Sequence, residues 1–406
     1  MVDVPTAHLW VRRFVIVTAG VIVLMLVDWV MCDPQGNLHT DWTAFDLAAD
    51  RLLSGEEVYR PYSAESEPLP YLYPPFVLPL ALPLAGFGFY GSYAISALGT
   101  FVAFVGGMLV FARIEQRSAD KTTGLIAAIV SGAVISATLI GQYSGLYVAF
   151  FGVGGLLLAR GRQALAGVVL ALLWMKPNIA VVVPVALLWS RQWRCFAGFA
   201  GCTAALVGTS VVLVPDQWRG FLSNAQMMAE LQQQDVVPFE KMVSVLGGAH
   251  AIFGFSSGSP VAASLFMVVA LVLGIAVLQL WTPAALRESP IRAFGALALF
   301  AVAANPRIYF YDATLVAMGM FGLWVSAQTV GGPLAKRWVR IVALLTWLSL
   351  WGGTFVELNR VVGAIAACGL VISSCDAWMS SRGLQPVAVL PPTDVSDRTV
   401  LAERAA

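Results

Sequence analysis

Residues 160–194 read RGRQALAGVVLALLWMKPNIAVVVPVALLWSRQWR. Two apolar arms flank Lys176-Pro177-Asn178, and basic residues close both ends, Arg160 and Arg162 before, Arg191 and Arg194 after. A helix that crosses a bilayer needs about 20 mostly apolar residues, and each arm has only about a dozen. Loops that carry an excess of Lys and Arg stay on the cytoplasmic side, which places both ends of this stretch inside. The stretch therefore predicts a hairpin of two short helices, with Lys176 near its outer tip and below the outer surface, in a cavity.

The same two rules carry outward in both directions. The run Phe14–Met31 follows Arg12 and Arg13. No small-residue cleavage site follows it, so it reads as an uncleaved first helix with the N-terminus inside. The loop 33–73 is then outside, and it is acidic: Asp33, Asp41, Asp46, Asp50, Glu56, Glu57, Glu65 and Glu67 against Arg51 and Arg60. Parity allows one full crossing before Arg113, so the proline-rich 72–86 segment reads as kinked or partly inserted. Further crossings are expected over 122–140, 143–159, 195–214, 261–282, 293–304, 308–327, 341–356 and 361–379, with a polar outer loop over 215–259. The expectation is an all-α polytopic membrane protein of about 11–12 transmembrane helices, by the length rule. Residues 1–382 form one domain, and 383–406 form a disordered cytoplasmic tail rich in Pro, Ala and charge.

Composition agrees. The chain is 59% hydrophobic and 12% charged, with mean hydropathy +0.79, whereas a soluble domain carries about 25% charged residues. The net charge of +1 gives no reason to expect a nucleic-acid partner. Thirteen Trp residues suit a protein with two membrane interfaces. The five cysteines form no CxxC and the three histidines show no ligand spacing, so neither a disulfide framework nor a metal is expected.

The topology collects Asp41, Gln142, Lys176, Arg307 and Glu357 at one face, the outer one. Within the acidic loop, Thr40 is a suitable N-cap and Gly55 a suitable C′ stop for a helix. Trp42, Phe45, Ala49, Leu52 and Leu53 share one face of it, which describes an amphipathic helix along the outer interface. Asp41 falls in its first turn, where a carboxylate suits the helix N-terminus and can also act as a general base. Trp42, Tyr59, Tyr71, Tyr73, Tyr143, Tyr309 and Tyr311 read as a group as an aromatic belt. The glycines at Gly106-Gly107 and Gly152–Gly155 read as close helix packing.

An ordered set of short motifs then stands out: Asp41-x3-Phe45-x2-Ala48, Gly55-x3-Tyr59, Tyr71-Leu-Tyr73-Pro74-Pro75, Gly141-Gln142, Ala166-Gly167 to Lys176-Pro177, and Asn305-Pro306-Arg307 leading to Tyr311-Asp312. Over about residues 14–380 the chain resembles glycosyltransferase family 87, membrane enzymes of the GT-C class. The resemblance implies a GT-C-like helical bundle. It also implies transfer of a sugar, commonly mannose, from a polyprenyl-phosphate donor to a hydroxyl of a glycolipid or glycan at the outer membrane face. It implies that the family's catalytic Asp is Asp41 here, and it implies no cofactor. The chain departs from the family where the 305–312 turn lacks a Trp-Asp-His-like stretch, and where the acidic loop offers Asp46 as a rival base.

A phosphate leaving group needs stabilising positive charge, and Lys176 and Arg307 are the cations placed to supply it. Asp46, Tyr59, Tyr73, Gln142, Asn305, Tyr311 and Asp312 are the candidates for substrate contacts. A transporter or flippase for a lipid-linked substrate is the competing expectation. Such a protein places ionisable groups at mid-membrane in matched halves, and here they gather at one face with no internal repeat.

Overall fold

The computed structural model describes residues 40–60, 71–115, 121–233, 242–255, 259–355 and 360–382. The first hydrophobic run, Glu357 and the tail from 383 lie outside the described residues, as do 33–39 and 61–70 of the first loop.

The described chain is helical throughout, with one isolated bridge between Met242 and Tyr309. The helices, in order, are α1 (Thr40–Leu53), α2 (Leu78–Ala85), α3 (Gly88–Ala112), α4 (Lys121–Ile129), α5 (Gly132–Leu139), α6 (Ser144–Ala159), α7 (Gln163–Ala171) and α8 (Val182–Trp189). Then come α9 (Trp193–Leu213), α10 (Pro215–Gln233), α11 (Val245–Phe253), α12 (Pro260–Leu280), α13 (Pro290–Ala303), α14 (Thr314–Thr329), α15 (Pro333–Phe355) and α16 (Val362–Ser381). Proline opens α10, α12, α13 and α15, at the position where its missing N–H is no loss. Short 3₁₀ turns precede α2 (Pro75–Val77) and α14 (Phe310–Ala313).

Among the described residues six segments are long and apolar enough to cross a membrane: Gly88–Ala112, Lys121–Leu139, Trp193–Leu213, Pro260–Leu280, Phe310–Thr329 and Val362–Ser381. Four shorter apolar helices accompany them, two of them the arms of the hairpin, Gln163–Met175 and Pro177–Trp189. The protein is an all-α, multi-pass membrane protein. The proline-rich segment after Tyr73 is, as its prolines require, only a 3₁₀ turn and the eight-residue α2.

α13 and α14 form the centre, with nearly every side chain buried. α9 and α12 lie at the periphery. They leave Val211, Val212, Leu213, Met267, Val268 and Leu271 uncovered, the faces that lipid covers. Glycines set the closest approach in the bundle. A Cβ on Gly107 of α3 would lie 2.6 Å from the Ala149 backbone of α6, and one on Gly152 would lie 2.5 Å from the Gly107 carbonyl, while Gly106 faces open space.

Two expectations change. The 215–259 segment is not a plain polar loop: it contains α10 and α11, because Pro215 and the Ser244 cap start helices there. α1 forms where its caps place it, but Trp42, Phe45, Ala48 and Ala49 are buried against protein and Leu53 is exposed. Its apolar face is covered by the bundle, not by lipid.

Candidate active site

The hairpin breaks where proline dictates. α7 tightens into a 3₁₀ turn, Leu172–Met175, and Lys176 is then extended at φ −129°, ψ 90°, as a residue before proline must be. Pro177 opens the returning arm with a four-residue turn, Pro177–Ala180. A second proline turn, Asn305-Pro306-Arg307, follows α13. Here Asn305 Oδ1 accepts from the Arg307 amide at 2.9 Å. The two turns are laced together: Asn178 Nδ2 donates to the Arg307 carbonyl at 2.9 Å, and Asn305 Nδ2 donates to the Asn178 carbonyl at 3.1 Å.

Beside them, Lys176 donates to Asp312 Oδ2 at 2.5 Å. Asp312 is fully buried and also accepts from Ser144 Oγ at 3.2 Å. The Lys176 ammonium lies 4.8 Å from the centre of the Tyr311 ring and 6.0 Å from that of Tyr147. Burial of this kind needs pairing, and the pairing neutralises the Lys176 charge inside the protein. Asp312, a candidate substrate contact, is therefore the partner of Lys176.

Asp41 arrives from the other side. Gly141 adopts φ +78°, and a Cβ there would lie 2.7 Å from Trp42 Cβ. The Trp42 amide donates to the Ile140 carbonyl at 3.2 Å. This contact locks the start of α1 onto the turn that carries Gln142. The Gln142 amide donates to Asp41 Oδ2, and Gln142 Oε1 accepts from the Tyr73 hydroxyl at 2.6 Å. The Tyr59 hydroxyl in turn donates to the Tyr73 carbonyl at 2.6 Å. The aromatics read as a belt are instead an interlocked cluster: Phe45 packs on Tyr71, Tyr73 and Tyr143 at 4.6–5.6 Å between ring centres.

Tyr309 joins the two halves. Its ring stacks on Tyr311 at 5.6 Å. Burial first, and then the negative charge of Asp41, push its phenol up, while Arg307 pulls the other way. Tyr309 thus lies in the field of both the Asp41 carboxylate and the Arg307 guanidinium. Burial lowers the Arg307 pKa.

Asp46 is elsewhere. It accepts from Ser92 Oγ of α3 at 3.4 Å, and Ser92 also accepts from Trp42 Nε1 at 3.0 Å. Burial, then the neighbouring Asp50, raise its pKa, and the Ser92 hydrogen bond opposes them. Among the described residues no three His, Cys, Asp or Glu side chains come together as a metal site would require.

The described bundle thus carries a carboxylate held by an oriented amide and, in a separate laced turn, a guanidinium that precedes stacked tyrosines. The sequence model described as glycosyltransferase family 87 matches residues 71–306, more than half of the chain. The chain belongs to glycosyltransferase family 87. It is therefore a membrane glycosyltransferase. The family match takes in Tyr73, Gln142, Lys176 and Asn305 and stops one residue before Arg307; Asp41, Asp46 and Tyr59 precede it. Neither a search of curated proteins nor a search of solved structures gave a match.

Three residues of this candidate site were not singled out in the sequence. Tyr147 and Ser144 belong to an apolar helix with no local feature to mark them. Asn178 had a signal, since Lys-Pro-Asn and Asn-Pro-Arg are two proline turns of the same build.

Proposed function

We propose that the protein transfers a sugar, mannose in the first instance, from a polyprenyl-phosphate donor to a hydroxyl of a glycolipid or glycan at the extracytoplasmic face. The observation that carries this reading is the Asp41 carboxylate, held by the Gln142 side-chain amide, which the Tyr73 hydroxyl holds in turn. It supplies a base for the acceptor, and the laced turn that carries Arg307 leads directly into the stacked Tyr309 and Tyr311, a cation for the leaving group beside an aromatic surface.

In the proposed reaction the acceptor oxygen attacks the anomeric carbon as its proton passes to Asp41. The bond from that carbon to the phosphate oxygen breaks, and its electron pair leaves with the polyprenyl phosphate. Gln142, held by Tyr73, orients the carboxylate through Oδ2. Arg307 meets the phosphate charge, and guanidinium suits it because its planar fork matches phosphate oxygens. Lys176 acts from behind: paired with Asp312, it fixes Tyr311 beneath Tyr309. The excess of Lys and Arg in the loops opposite Asp41 supports an orientation with the site outside and both termini inside.

Membranes containing the protein, incubated with radiolabelled polyprenyl-phosphate mannose, are expected to move label into a glycolipid or glycan fraction. Transfer from a nucleotide sugar alone, with none from the lipid-linked donor, overturns the proposal.

A further inference from the structure

A groove of about 390 Å³ lies between α4, α14 and α15, far from the site just described. Its volume is in the ~300–1,000 Å³ range of ligand-sized sites. Trp324 on its wall is about 18 Å along α14 from Asp312, at about 1.5 Å per residue. The lining is apolar along its length: Ala128, Met320, Phe321, Trp324, Leu344 and Trp347. On α15 the lining follows one helical stripe, Arg340, Leu344, Trp347, and Lys336 and Arg337 extend that stripe outward by one turn.

Polarity along the groove is one-directional. Lys336, Arg337 and Arg340 are exposed at its mouth, and Lys121 opens α4 on the facing wall. α4, α14 and α15 contain no acidic residue. Asp376 of α16 is buried and accepts from the Gly332 amide instead. Arg340 is drawn toward α14 by Gln328, whose Oε1 accepts from it at 2.6 Å. Inside the groove, Thr346 is 1% exposed and its hydroxyl has no partner among the described residues. It lies about 9 Å along the helix from Arg340. A buried hydroxyl without a partner is costly unless something in the site accepts from it.

We propose that this groove holds one anionic glycerophospholipid of the surrounding bilayer. Its phosphate sits among Lys336, Arg337 and Arg340, an ester carbonyl accepts from Thr346, and one acyl chain lies along Trp324 and Trp347. Charge at one end, a single hydroxyl further in and hydrocarbon beyond match the order of groups along such a lipid. Basic pockets at the cytoplasmic ends of transmembrane helices recognise anionic headgroups in this way.

The full-length protein in phosphatidylcholine vesicles tests this. The vesicles are doped with phosphatidylglycerol, with phosphatidylcholine or with polyprenyl phosphate, each carrying a photoreactive group on its chain. The phosphatidylglycerol probe is expected to label peptides of 320–324 and 343–347. Arg340→Gln is expected to reduce that label about fivefold, the effect of one cation near an anionic surface. Ala343→Phe, which fills the groove and keeps the cations, is expected to reduce it similarly, while labelling of α9 and α12 is unchanged and shows the fold intact. Should Ala343→Phe fail to fold, Arg340→Gln at the exposed mouth decides alone. Equal labelling by phosphatidylcholine that ignores Arg340→Gln overturns the proposal, as does labelling by the polyprenyl phosphate probe only.

Discussion

Asp41 and Asp46 are five residues apart on α1, about 140° around the helix axis, and the bundle treats them differently. Asp41 accepts from the Gln142 side-chain amide; Asp46 accepts from a serine of α3. A positioned base contributes about 10²–10⁴-fold to rate, so Asp41→Asn should cut sugar transfer by that factor with expression and donor binding near normal. Asp46→Asn should transfer at close to the wild-type rate. Asp46 also has a stability consequence. Its folded pKa is raised, so the fold prefers the protonated acid, and its contribution to stability falls as pH rises from the unfolded carboxylate value through the raised one. Asp46→Asn should remove that loss, leaving a Tm at neutral pH equal to or above wild type; a lower Tm would contradict it. Lys176 calls for a paired test. Lys176→Met leaves Asp312 buried and unpaired, at a cost of about 3–5 kcal/mol, visible as a large fall in detergent Tm. Adding Asp312→Asn should restore the Tm and leave transfer well above that of Asp41→Asn. A double variant that is folded yet inactive would return Lys176 to the donor phosphate.

At the scale of elements, the site depends on where helices stop. The turn between α5 and α6 must approach α1 closely enough for Gln142 to reach Asp41, and only glycine permits it at 141. Gly141→Ala places a Cβ in a left-handed backbone, about 1–3 kcal/mol of strain, and against Trp42 Cβ. It should lower both Tm and transfer, whereas Gly106→Ala, which faces open space, should alter neither. These elements were legible to different degrees. The hairpin could be read because basic ends and short arms are local features, and a residue before proline breaks a helix wherever it occurs. The Lys176–Asp312 pair could not, since the partners are 136 residues apart and no spacing rule links them. The burial of α1 was also hidden: an amphipathic stripe has the same sequence whether it meets lipid or protein, and only the approach of Ile140 and Gly141 decides which.

For the whole molecule, charge distribution sets orientation. Single-cysteine variants at Glu57 and Ser381, both exposed, in a chain stripped of its other cysteines, give the readout. A membrane-impermeant thiol reagent should reach Glu57→Cys in intact cells and Ser381→Cys only after permeabilisation. The reverse pattern would invert the bundle and move the proposed site to the cytoplasm. The bundle's helical class, its hairpin and its proline-rich kink all follow from hydropathy and basic loops. Setting Gln142 against Asp41 and Asn178 against the Arg307 turn took the fold, because the partners stand in different elements and only tertiary packing brings them together.

The pairing of Lys176 with Asp312 bears on how the chain is made. Synthesis proceeds at about 5–20 residues per second, so Lys176 leaves the ribosome roughly 7–27 s before its partner. Through that interval the hairpin tip carries a cation without its carboxylate; a Lys at the centre of a membrane helix is disfavoured by about 2.5–3.5 kcal/mol, and one nearer the surface by less. The hairpin is therefore expected to reach its final depth only once the segment carrying Asp312 has emerged. The segment that secures the hairpin is made long after the hairpin itself.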